Sequence, residues 1–202
     1  VSKVYPVIHT VSVPQATRNI EHAITAGADG VFLINHDIDV MDLNVILRRM
    51  RVAFPDLWLG VNYLGGPEHL LPLMATHANG LWMDGIPRNR LNLDIPVLGG
   101  VGFKYQHSDL TLALEVAGAD PLVDVLVTSG TATGQPTPLA KVQEIRGLVP
   151  DKPLGIASGL TPDNVRDYLP WADWLLVATG VSLNHLELDL GLLQAFVQAV
   201  RA

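Results

Sequence analysis

The chain has 202 residues, of which 16% are charged and 49% apolar, with 18 Gly, 14 Pro and no Cys. That apolar content excludes a disordered chain, and the missing Cys excludes a disulfide scaffold, a thiolate metal site and a cysteine nucleophile. A formal net charge of -7 opposes a broad nucleic-acid footprint, which needs clustered Lys and Arg. No apolar run nears the roughly 20 residues of a membrane span, and the opening Val-Ser-Lys-Val-Tyr-Pro lacks a signal peptide's apolar stretch. The expectation is a soluble, cytoplasmic globular protein with neither nucleic acid nor membrane as partner.

Two kinds of apolar segment alternate along the chain. Short, continuous, often β-branched runs occur at Val4–Ile8, Val31–Ile34, Trp58–Val61, Leu81–Met83, Val97–Leu98, Val123–Val127, Leu154–Ala157 and Trp174–Val177. Such runs suit strands buried on both faces, as in a parallel sheet. Between them lie stripes at helical spacing: Ile20, Ala23 and Ile24; Leu43, Ile46, Leu47 and Met50; Leu139, Val142, Ile145 and Leu148, the last with Lys141, Glu144 and Arg146 on its other side. Ala26-Gly27-Ala28-Asp29-Gly30 reads as a helix stop followed by a strand, and Thr161-Pro162-Asp163 as a helix start.

Eight βα units imply a (β/α)8 barrel, with an open doubly wound sheet as the alternative. The length lies at the lower limit for that barrel, about 200 residues, so some part must be trimmed. Asp84 to Asn92, rich in Pro and Asn, is too short for a crossover helix, and an irregular loop is expected in place of the fourth one. No linker divides the chain, so residues 1–202 are read as one barrel domain.

Barrel active sites lie at the carboxyl ends of the strands. That rule selects His9, Asn35-His36-Asp37, Asn62-Tyr63, Asp84, Lys104, Thr128-Ser129, Ser158-Gly159 and Thr179-Gly180. Lys104 and Asp84 are a candidate acid and base, with His9 beside them as a third catalytic candidate. Asn35 and Asn62 would orient ligand hydroxyls. Thr128, Thr131 and Thr133, in a loop holding Gly130 and Gly134, would close over a ligand, although Ser, Thr and Gly also dominate ordinary turns. Ser158, Gly159, Thr161, Thr179 and Gly180 would form an anion site, with close backbone approach at the glycines and free N–H groups at the two following helix starts. Gly159 and Thr161 equally suit a tight turn and a helix cap. His9, His36 and Asp37 lack a metal-ligand spacing, so neither metal nor cofactor is expected. His22, His69, His77 and His185 are read as solvent-facing.

Three segments carry a family resemblance: Asp124–Gly134, Ala157–Val165 and Ala172–Gly180. In them the chain resembles the BtpA/SgcQ family of phosphate-binding barrels, with its paired Thr-Gly-type loop, its Gly-Ser-Gly-Val-Thr-type turn followed by Asn, and its aspartate-led last strand. Val7-Ile8-His9, Gly27–Val31 and Gly60–Leu64 are collinear with that family's first three strands, and Phe103-Lys104-Tyr105 falls where it has a Lys-His pair. The resemblance implies the barrel and an anion site; the family itself has been linked to photosystem I biogenesis and to unassigned enzyme activity. Three features depart from it. Ile34-Asn35 replaces a Glu-Asn pair, Gly100 stands in the region of an Asp, and Thr10–Pro14 shortens the first loop. Phosphoribosylanthranilate isomerase has similar last loops, but its first-strand Cys and sixth-strand Asp are replaced by His9 and Thr128, so that activity is not expected.

Two readings follow. One is an isomerase or lyase acting on a small phosphorylated compound, such as a sugar phosphate or a nucleotide-derived molecule. The other is a non-catalytic binding or assembly protein that keeps the barrel and the anion site without the lost carboxylates. The apolar Leu188, Leu190, Leu192, Leu193 and Phe196 predict a self-association surface on the last helix, hence a homo-oligomer.

Overall fold

In the computed structural model, which describes residues 1–106 and 109–202, eight parallel strands close on themselves in chain order. They are β1 (Lys3–His9), β2 (Val31–Ile34), β3 (Leu59–Asn62), β4 (Gly80–Met83), β5 (Val97–Gly100), β6 (Val125–Thr128), β7 (Leu154–Ile156) and β8 (Trp174–Val177). β8 pairs back onto β1, from Lys3 opposite Trp174 to Pro6 opposite Val177, so the sheet has no free edge. Each apolar run in the sequence falls on one of these strands.

Strand alternation sorts the side chains into two layers. Tyr5, Val7, Phe32, Ile34, Trp82, Leu98, Val125 and Val127 fill the barrel interior. Their neighbours Val4, Ile8, Val31, Leu33, Leu81, Val97 and Leu126 pack outward with the helices. The interior is densest toward the amino end, where Tyr5 lies 4.6 Å from Trp58 and 4.8 Å from Trp174, ring centre to ring centre. Gly60 and Gly80 make room for these rings: a Cβ on Gly60 would sit 2.4 Å from Phe32 Cε1, and one on Gly80 2.7 Å from Trp58 Cη2.

The helices are α1 (Val13–Ala26), α2 (Val40–Ala53), α3 (Leu71–Met74), α4 (Leu112–Ala119), α5 (Leu139–Leu148) and α6 (Leu190–Arg201). Gly27 ends α1 at φ 79°, in the left-handed region that favours glycine. Trimming goes further than expected. No helix joins β4 to β5 among the described residues, as the Pro- and Asn-rich segment predicts, and α3 is a single turn. The expected helix after β7 is a further correction, because only a 3-10 turn (Val165–Asp167) forms there. Pro170 bars continuation, since the residue before a proline is pushed out of the helical region. Thr161 and Asn164 instead lock each other, Asn164 Oδ1 accepting from Thr161 N at 2.9 Å and Thr161 Oγ1 from Asn164 N at 3.3 Å.

Four polar side chains repeat one device at the amino-end rim. Asp29, Asn79, Asp124 and Asp173 accept a hydrogen bond from the N–H of Val4, Leu59, Val97 and Leu154, at 2.7, 3.0, 2.9 and 2.9 Å. Each also takes a guanidinium, from Arg201, Arg51, Arg90 and Arg146 respectively. The device ties β1 to β2, β3 to β4, β5 to β6 and β7 to β8. Of the apolar residues expected to form a self-association face, Leu188, just before α6, and Leu193 and Phe196 within it are buried, Leu190 is half-buried and Leu192 is exposed. No helix among the described residues is long and apolar enough to cross a membrane.

Candidate active site

The carboxyl end of the barrel opens into a cavity of about 540 Å³. Strand parity decides which strand-end residues reach it. On β1 the interior side chains are Tyr5 and Val7, so His9 follows inward; on β2, Phe32 and Ile34 put His36 inward; on β4, Trp82 puts Asp84 inward. The same count sends Asn35 and Thr128 outward, and both expectations for them are corrected here. Asn35 staples two loops, donating to Ile38 O and Leu64 O and accepting from Leu64 N at 2.8 Å. Thr128 is wholly buried with an unpartnered hydroxyl, so it closes over nothing.

Asp84 and Lys104 line the cavity together. Burial raises Asp84 above the usual carboxylate range, against the Asn62 hydrogen bond at 2.8 Å and the charges of Lys104 and His36. Burial lowers Lys104, against the pull of Asp84 and Tyr105. Burial thus disfavours the charged form of both groups, which suits a carboxyl and an amine to proton transfer. Asn62 acts on Asp84 rather than lining the main cavity. Lys104 forms no ion pair among the described residues. Lys141, expected on the polar side of α5, turns inward and bonds Gly102 O and Ser129 O. Gly100 has a reason to lack a side chain, since a Cβ would lie 2.0 Å from Asp84 O.

Ser158, Gly159, Thr179 and Gly180 line the opposite wall. The glycines serve closeness of loop to loop: a Cβ on Gly159 would lie 2.3 Å from the Gln135–Pro136 backbone, and one on Gly180 1.9 Å from Leu160 O. The N–H groups of Gly159, Leu160 and Gly180 meet no acceptor among the described residues. The turns that follow are 3-10 and three residues long, so any anion held here would be held by loop N–H groups and not by a helix terminus. Thr161 lies off the cavity and caps its own turn. Thr131 is exposed and also off the cavity, whereas Thr133 lines it and its N–H donates to Tyr105 Oη at 3.2 Å. Tyr105 holds φ 61°, a left-handed conformation rare for a side chain of this size, and its ring straps the β5 loop to the β6 loop across the mouth.

His185 is exposed, as the sequence predicts, and it also lines the site. Its Nδ1 lies 2.8 Å from His9 Nδ1, and its Nε2 lies 2.8 Å from Asp37 Oδ2. His36 packs on His9 with ring centres 4.6 Å apart. A His in the loop before α6 carries no local signal for this, because what brings it in is the closure of β8 onto β1. Among the described residues, no set of three or more His, Asp or Glu side chains is arranged to hold a metal ion.

No family model and no curated protein sequence matches this chain. Solved structures do. Phosphoribosyl anthranilate isomerase from Thermotoga maritima superposes with a TM-score of 0.74 at 16% identity, covering 100% of this chain and 99% of that one. The fold is a TIM barrel. Thiamine phosphate pyrophosphorylase from Pyrococcus furiosus gives 0.72 at 15% identity over 98% and 95%. Tryptophan synthase subunit alpha from Legionella pneumophila gives 0.72 at 13% identity over 99% and 93%. Likeness at these identities establishes the architecture of this barrel and leaves its chemistry to its own residues.

Proposed function

We propose that this barrel is an enzyme acting on a small phosphorylated compound by proton transfer, an isomerase or lyase in reaction class. The observation that carries the reading is the meeting of two walls in one cavity. On one side stand Asp84 and Lys104, poised by burial to exchange protons; on the other are the unpartnered N–H groups of Gly159, Leu160 and Gly180. A phosphate on the N–H wall would fix the ligand while leaving its reacting carbons to the acid and base. Thr133, Ser158 and Thr179 supply hydroxyls beside it. The resemblance of residues 124–180 to BtpA/SgcQ barrels supports an anion at these loops, as do two neighbours in fold whose names refer to phosphorylated compounds.

Two measurements test the reading. Titration with inorganic phosphate at millimolar concentration should shift the amide resonances of Gly159 and Gly180; unmoved amides would remove the anion site. A screen of sugar phosphates and nucleotide-derived phosphates should then reveal turnover that Asp84→Asn and Lys104→Met each reduce by about 10²-fold or more. Turnover that survived both changes would overturn the roles assigned.

A further inference from the structure

The hydrogen-bond chain at the end of β1 fixes which ring nitrogen of His9 is free. An ionised Asp37 only accepts, so His185 Nε2 must carry the proton of their 2.8 Å bond. A neutral His185 then has a bare Nδ1, which accepts from His9 Nδ1 at 2.8 Å. His9 is left with its own proton on Nδ1 and a bare Nε2, and His9 lines the cavity. With Asp37 ionised and His185 neutral, each step follows from donor and acceptor capacity.

We propose that Asp37, His185 and His9 form a proton relay that presents His9 Nε2 as a general base to the cavity and delivers the proton it takes to the solvent-facing His185. The inference rests on the reading of this cavity as catalytic and names a base that faces the Asp84–Lys104 pair. The ligand's C–H or O–H bond breaks, its electron pair stays on the ligand, and His9 Nε2 gains the proton. His9 Nδ1–H passes to His185 Nδ1, so His9 ends neutral and His185 ends as an imidazolium against Asp37. The anion left on the ligand faces Lys104, since β1 and β5 are opposite staves of the eight-strand closure. A ligand suited to this arrangement carries a proton made acidic by a neighbouring carbonyl.

The burial pattern agrees with the direction of transfer. Burial, with His36 and His185 beside it, holds His9 down at about 4, so charge on His9 itself is disfavoured. The side chains of His185 and Asp37 are about half exposed, 52% and 48%, so charge there is solvated. The other groups facing the relay are His36, itself lowered by burial and by His185, and, acting on His36, Asp84 and Lys104. Glu187, close in sequence to His185, is taken by Arg18 at 2.6 Å. Within the relay, Asp37 and His185 are positioning residues and His9 is the member that touches the ligand.

Protein labelled with ¹⁵N at histidine and free of ligand, observed by long-range ¹H–¹⁵N correlation at pH 8, reads the tautomers directly. The relay requires His9 as the Nδ1–H form and His185 as the Nε2–H form. Asp37→Ala should turn His9 into a mixture, and His185→Phe should bring it to the Nε2–H form; a thermal melt of each variant confirms folding, which these exposed positions should tolerate. His9 found as Nε2–H in the unaltered chain, or unmoved by both variants, overturns the relay. Ordered tautomers with no phosphate binding would refute the phosphate reading and leave the relay standing; phosphate binding with disordered tautomers would do the reverse.

Discussion

At the amino end of the barrel Asp29, Asp124 and Asp173 each hold a strand N–H and an arginine, while at the carboxyl end Asp84 is held by Asn62 and burial raises it from its ordinary range. Lys104 and Lys141 show the same contrast within a few residues of space: Lys141 is consumed by two carbonyls, and Lys104 has no ion-pair partner among the described residues. Side chains spent on the fold are satisfied where they sit. Those at the mouth bear a desolvation cost with little return, and an uncompensated cost of that kind clusters where chemistry is done. One chain thus uses the same residue types for stability at one end and for reactivity at the other.

Breaking the packed end should cost most. Gly60→Val would push a side chain into Phe32 and Trp58, and we expect a loss of about 3 kcal/mol in urea unfolding, or no soluble protein. Next, Asp173→Asn weakens the Arg146 pair and the Leu154 N–H bond, for an expected loss of about 2 kcal/mol with turnover per folded molecule unchanged.

Acid should sharpen the contrast. His9 titrates near 4 when folded and near 6.5 when unfolded, so the unfolded chain binds the extra proton between those values. Stability should therefore fall as pH drops from about 6.5 to about 4, and His9→Gln should flatten that part of the profile. The smallest effect is expected at Thr128→Val. Removing a buried hydroxyl that lacks a partner should leave stability unchanged or raise it by up to about 1 kcal/mol, with phosphate-induced amide shifts intact.

The strands were legible because a parallel barrel demands continuous apolar runs, and Val31–Ile34 and Trp174–Val177 match their runs residue for residue. Counting inward and outward positions from Phe32 and Val125 separates His36 from Asn35 and sets Thr128 aside. Asp84, His9 and Lys104 were reachable through the strand-end rule. His185 was not, because its partners Asp37 and His9 are 148 and 176 residues away and meet it only when the barrel closes. The helix after β7 failed for a local reason: Thr161 and Asn164 satisfy each other and Pro170 ends what Pro162 begins. The rim device shows in the sequence as an Asp or Asn shortly before every second strand, yet its arginines lie too far along the chain to read as partners.

Asp84→Asn and Asp173→Asn, unfolded side by side in urea near neutral pH, put the contrast between the two ends to its most direct test. Asp84 binds its proton more tightly folded than unfolded, so its contribution to stability is lost as pH rises above the ordinary carboxylate range. Replacing it with the neutral isostere should raise the unfolding free energy, while the same change at Asp173 should lower it by about 2 kcal/mol. If both substitutions lower stability by similar amounts, the carboxylate at the mouth is one more structural clamp and the account of this cavity as a reactive site is wrong.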